Sequence, residues 1–195
     1  EKVGEIEMRG SWDAEMVRNW VTYDTANGLI HPQVVKNWTN GGSVNTEIIF
    51  QKYNNSGRTV QFLKRGKATT SVIWGYNNTL PIAKIENASF DLVEAELTAM
   101  GYSIESLQSK SDPELRSIFD LLRGRPAMKD AMITSYTHKT LVGMTSETDP
   151  SGKTTFYEYD NFGRLQYIKN HEGHYIKEYK YHYGEDEQSN SIESK

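Results

Sequence analysis

Along most of the chain apolar and polar residues alternate with a period of two, the pattern of strands buried on one face. The runs are interrupted by clusters rich in Gly, Asn, Asp and Ser: Asn40-Gly41-Gly42, Asn54-Asn55-Ser56-Gly57, Lys64-Arg65-Gly66, Asp149-Pro150-Ser151-Gly152, Asp160-Asn161-Phe162-Gly163 and Asn170-His171-Glu172-Gly173. Such clusters reverse a chain, because Asx side chains close turns and Gly accepts a positive φ. From Gly152 to Gly163 to Gly173 they come every 10 or 11 residues, the rhythm of an antiparallel meander joined by tight hairpins. Twelve tyrosines and four tryptophans suit the same pleated, half-buried surface.

One stretch breaks the pattern. Asp91, Leu92, Val93, Glu94, Ala95, Glu96 and Leu97 are mostly helix-compatible, with Gly101 placed to stop a helix. A second helix is expected with Asp112 as N-cap, Pro113 at the first helical position, and Leu115, Ile118, Phe119 and Leu122 on one face before Gly124. These apolar residues are too few for an independent core, so both helices are expected to pack on the sheet. The chain therefore reads as mainly β, an antiparallel hairpin meander with a small two-helix insertion. The expected segments are 1–88 (β), 89–125 (helical insertion), 126–183 (β-meander) and 184–195 (polar tail).

A repeat underlies the meander. Tyr53-Asn54-Asn55-Ser56-Gly57-Arg58 and Tyr159-Asp160-Asn161-Phe162-Gly163-Arg164 share a tyrosine, a four-residue turn ending in glycine, and an arginine. Degenerate units are expected at Tyr76 and Tyr136, and at Tyr23-Asp24 with Gly28 one residue late. In the clearest unit the Asp160 carboxylate can accept a backbone N–H two residues on, Gly163 can turn left-handed, and Arg164 can reach the carboxylate. Asn54 can close the same turn without charge.

The run from Thr148 to Leu165 closely resembles the YD repeat of Rhs proteins. Ile73 to Ala88 is similar to a companion motif of large Rhs-type proteins from Bacteroidetes, and with Leu141 to Thr145 the resemblance covers most of residues 44–183. It implies a hollow β-shell of tandem repeats, partnership with neighbouring repeats of the same chain, in some members an enclosed C-terminal domain, and a secreted or surface-displayed parent. The chain opens on Glu1 rather than methionine, and it is expected to be a piece of a longer protein whose export signal lies elsewhere.

Composition narrows the function. A net charge of -4 with mixed signs offers no field for nucleic acid, and no apolar run is long enough to insert this segment into a membrane as a helix. Without cysteine there is no disulfide and no thiolate metal site. His171-Glu172-Gly173-His174 is the one close histidine pair, but it falls in an expected turn and lacks helical HExxH spacing, so no metal is assigned. His31, His138 and His182 are isolated. No nucleophile elbow or phosphate loop is present, and neither catalytic residues nor cofactors are assigned. Asn-x-Ser/Thr sequons such as those at Asn37, Asn77 and Asn87 carry little weight. The strand carrying Tyr175, Tyr179, Tyr181 and Tyr183 on one face could stack glycans; aromatic ladders between strands are the more ordinary use of such a face. The reading is a non-catalytic scaffold segment, with a carbohydrate or cell-surface binding module as the alternative.

Overall fold

The computed structural model describes residues 5–8, 17–26, 29–39 and 42–181. Its strands are β1 (Glu5–Met8), β2 (Val17–Ala26), β3 (Leu29–Thr39), β4 (Asn45–Tyr53), β5 (Thr59–Lys64), β6 (Thr69–Gly75) and β7 (Leu80–Glu86). Helices α1 (Phe90–Ala99) and α2 (Asp112–Arg123) intervene before β8 (Met132–Lys139), β9 (Gly143–Thr148), β10 (Thr154–Tyr159), β11 (Leu165–Lys169) and β12 (Tyr175–Glu178). The twelve strands form one sheet whose spatial order is the chain order, with antiparallel neighbours throughout. Only local reversals are needed to build it, apart from the excursion through the helices.

The helices lie on the middle of this sheet. Val93, Leu97, Leu107, Leu115, Ile118, Phe119, Leu122 and Met128 share one cluster with Ile73, Ile82, Ala83, Ile85 and Ile133 of β6, β7 and β8. Phe119 and Leu122 are fully buried, as the spacing on α2 requires. Ser89 caps α1 by accepting the Leu92 N–H at 3.3 Å, and Gly101 follows it at φ +86°.

The N-cap expectation for α2 needs correction: the cap is Ser111, and Asp112 rather than Pro113 is the first helical residue. Both the N–H and the hydroxyl of Ser111 donate to the Glu114 carboxylate, at 2.8 and 2.7 Å, and these bonds hold the Glu114 pKa down to about 2. Asp112 is thereby free for another task. Its carboxylate accepts the Thr145 hydroxyl at 2.6 Å and the Tyr76 hydroxyl at 3.3 Å, tying α2 to the sheet. Arg123 does the same from the other end of α2, donating to the carbonyls of Ile133 and Thr148 and to the Ser135 hydroxyl. The sheet beneath is lined by the buried hydroxyls of Ser135, Thr137, Ser146 and Thr148, so α2 docks there through arginine and hydroxyl rather than through apolar side chains alone.

Five hairpins point to one end of the sheet, and each carries a register shift near its tip, between Thr22/Tyr23, Lys52/Tyr53, Ile73/Trp74, Thr137/His138 and Glu158/Tyr159. In every case the return strand holds the extra residue: Gln33, Val60, Ile82, Thr145 and Gln166. A bulge of this kind turns consecutive side chains toward one face. That accounts for the adjacent burial of Val60 with Gln61 and of Ile82 with Ala83.

This register corrects three expectations. Tyr23 and Asp24 lie inside β2, which runs on to Ala26, so they form no turn; Gly28 lies outside the described residues. Tyr136 is mid-strand opposite Glu147, three residues short of the end of β8, and the repeat position there is His138. In the third hairpin it is Trp74, not Tyr76, which falls in the turn at φ +51°. Spacing from tyrosine to tyrosine missed both, because indole and imidazole stand in the tyrosine's place.

Candidate functional site

The four-residue turns are built alike. Asn54, Asp149, Asp160 and Asn170 each use one side-chain oxygen to accept two backbone N–H groups, two and four residues on, at 2.8 to 3.1 Å. The backbone of each closes a second pair of bonds, such as Asp160 N–H to the Arg164 carbonyl at 2.9 Å and Gly163 N–H to the Asp160 carbonyl at 3.0 Å. Gly57, Gly152, Gly163 and Gly173 complete the turns at φ between +74° and +85°. Arg164 binds Asp160 through Nε at 2.8 Å, whereas Arg58 faces Asn54 without a charge to bind and donates to the Asn78 carbonyl at 3.0 Å. Two of the four turns, at 149–153 and 170–174, were visible as clusters in the sequence but not as the same module. The shared signal is an Asx followed by glycine three residues on.

Above the turns runs a ladder of aromatic clasps. From Tyr53 to Tyr159 each bulge aromatic donates to a backbone carbonyl of the hairpin before it, and the accepting residue is the one opposite the previous aromatic. Tyr53 donates to Pro32, which pairs with Tyr23; Trp74 Nε1 donates at 2.8 Å to Thr59, which pairs with Tyr53. His138 Nε2 lies 2.9 Å from the carbonyl of Pro81, which pairs with Trp74; Tyr159 donates at 2.9 Å to Met144, which pairs with His138. Tyr181 donates at 2.7 Å to Leu165, which pairs with Tyr159. The bulge opens the strand ladder at these carbonyls, and a ring with a polar tip both covers the gap and fills the vacant bond. Burial raises the pKa of Tyr53 and of Tyr159.

Two close approaches show why particular residues flank the ladder. Gly143 lies under Tyr159, so close that a Cβ there would stand 2.3 Å from the hydroxyl oxygen. Tip also packs on tip: a Cβ on Gly163 would sit 3.9 Å from a Val142 methyl, and one on Gly57 would sit 3.0 Å from His31, which stacks on Tyr53 at 4.4 Å.

The tyrosines considered for glycan stacking do not form one strand face. β12 ends at Glu178, Tyr183 lies outside the described residues, and Tyr181 is the fifth clasp. Tyr175 sits 4.9 Å from Tyr167 with the Lys169 ammonium over its ring, and Tyr179 carries the Lys177 ammonium at 4.7 Å. Trp12, His182 and residues 184–195 also lie outside the described residues. His171 and His174 flank Glu172 at 3.9 and 3.1 Å on an exposed turn, and among the described residues no group of three or more His, Asp or Glu is arranged to hold a metal ion. The polar groups around Asp112, Thr145, Thr137 and Ser146 bind one another and Arg116, and the His138 ring turns to a carbonyl instead of a hydroxyl.

These features define a sequentially wound β-scaffold in which each hairpin is clasped to the one before it. Residues 143–169, which hold the Gly143 cradle, Tyr159 and the Asp160 turn, match the RHS Repeat family. No curated protein matches it. Among solved structures it is similar to the Tc holotoxin pore of Photorhabdus luminescens carrying a TccC3 point mutation, at 13% identity and a TM-score of 0.43. It is also similar to TcdB2-TccC3 without its hypervariable C-terminal region (12% identity, TM-score 0.44) and to TcdB2-TccC3 (13%, 0.44). In each case 84% of this chain aligns with 8% of the other, so the chain spans a small part of the proteins it matches.

Proposed function

We propose that the chain is a non-catalytic structural segment of a larger exported Rhs-type protein, one stretch of a β-shell whose partners are neighbouring repeats and an enclosed C-terminal domain. The carrying observation is the clasp ladder: polar side chains that could serve chemistry are spent on joining successive hairpins, and the same joint recurs at every step from Tyr53 to Tyr181. A sheet wound in chain order with one repeated joint can be lengthened without new design, which is what a shell wall requires. The RHS match supports secretion or surface display, and no helix among the described residues is long and apolar enough to cross a membrane.

Limited proteolysis of the complete protein tests the reading. The region after the repeats should resist protease in the intact protein and become sensitive when residues 143–169 are deleted. Equal sensitivity before and after deletion would contradict an enclosing wall.

A further inference from the structure

One more residue belongs to each joint of the ladder, the one immediately before the accepting carbonyl. His31, before Pro32, stacks on the Tyr53 ring at 4.4 Å. Arg58, before Thr59, holds its guanidinium 5.4 Å from the centre of the Trp74 ring. Arg164, before Leu165, lies 4.3 Å from the centre of the Tyr181 ring and 5.2 Å from that of Phe162. Gly143, before Met144, leaves its place to the Tyr159 ring itself. Before Pro81, whose carbonyl meets His138, stands Leu80. The two arginine positions thus carry an indole and a phenol, and the imidazole clasp follows an uncharged residue.

Ring chemistry accounts for that division. Each guanidinium is pinned by the turn beside it: Arg58 Nε donates to the Asn78 carbonyl at 3.0 Å, and Arg164 Nε to the Asp160 carboxylate at 2.8 Å. A pinned cation attracts the negative face of an indole or a phenol ring. It repels an imidazole, which takes up a proton near its ordinary pKa of about 6.5. We propose that this residue is a seat that selects the ring. A hairpin whose return strand opens with arginine after the turn glycine, as at Gly57-Arg58 and Gly163-Arg164, is a docking surface for a following hairpin that brings tryptophan or tyrosine, and it rejects one that brings histidine. The inference rests on the scaffold reading and names the partner that each joint takes. Arginine seats then restrict the order in which hairpins can stack, because specificity comes from the repelled ring as well as from the attracted one.

The full chain tests this through the amide protection factors of β6 and β7. Arg58→Gln should lower them about 2- to 30-fold, the share of one cation–π contact. In Trp74→His, protection should fall as the pH drops below about 6, where an imidazole becomes charged, and adding Arg58→Gln should remove that fall. Tyr181→His with Arg164→Gln repeats the comparison at the C-terminal end of the described sheet, so it survives even if Trp74→His does not fold. There the probe is the Tyr179 N–H, which donates to the Gln166 carbonyl at 2.9 Å. Histidine variants as well protected at about pH 5 as at about pH 8 would overturn the proposal, as would a fall with pH that persists without the arginine. If the Trp74 indole N–H of the wild type still exchanges slowly in that case, the ladder and the scaffold stand and only the selection of rings is lost.

Discussion

Substituting Gly143 by alanine strikes the best-defined clasp. The new methyl would lie 2.3 Å from the Tyr159 hydroxyl oxygen, 2.8 Å from Cζ and 3.1 Å from Cε1, so the phenol has to withdraw. Withdrawal breaks its 2.9 Å bond to the Met144 carbonyl, worth about 1 kcal/mol net, and forcing a group into packed space adds about 1 to 3 kcal/mol. The expected loss is about 2 to 4 kcal/mol in urea melts. Tyr159→Phe alone removes the bond and should cost about 1 kcal/mol. It also removes the atom that the methyl meets first, so the two changes are not additive. The double variant should be more stable than the sum predicts by about 1 kcal/mol. Strict additivity, or a Gly143→Ala cost below about 0.5 kcal/mol, would show that Tyr159 does not lie over Gly143.

Other substitutions probe separate parts of the fold. Leu141→Gly should stabilise the chain by about 0.5 to 1 kcal/mol, since relief of a left-handed leucine outweighs glycine's added freedom when unfolded and no burial is lost; a lower urea midpoint would contradict this. Phe119→Ala should cost about 3 to 5 kcal/mol because the ring is fully buried between α2 and the sheet, and an unchanged midpoint would place it on the surface. Asp160 has its pKa lowered, first by the Arg164 N–H and then by the Arg164 side chain. A depressed carboxylate stabilises the fold above its unfolded value near pH ~4 and loses that contribution as pH falls through the folded value. Asp160→Asn, which can still close the turn as Asn54 does, should therefore flatten the acid side of the stability curve; an unaltered acid limb would contradict the assignment.

The meander and the helix pair were legible because both rest on local chemistry. Glycine three residues after an Asx fixes a turn, and Leu115, Ile118, Phe119 and Leu122 fix a buried helical face. The clasp ladder was not legible, for two physical reasons. A bulge on the return strand adds one residue without any sequence mark, so the carbonyls that it opens to a clasp could not be located. The joint also requires only a ring with a donor at its tip, so tyrosine, tryptophan and histidine are equivalent in it and identity-based spacing passes over them. Asp112 was read as a cap for a related reason: aspartate before proline suits a helix start, and only the fold brings Thr145 and Tyr76 to its carboxylate while Ser111 takes the cap.

The clasp ladder is tested most directly by a nuclear Overhauser spectrum of the folded chain in water. The Trp74 indole N–H should exchange slowly and show cross-peaks to the α-protons of Thr59 and Val60, and the Tyr159 ring should show cross-peaks to the Gly143 α-protons. An indole proton exchanging at the free rate, with neither set of cross-peaks, would mean that successive hairpins are not joined in this way.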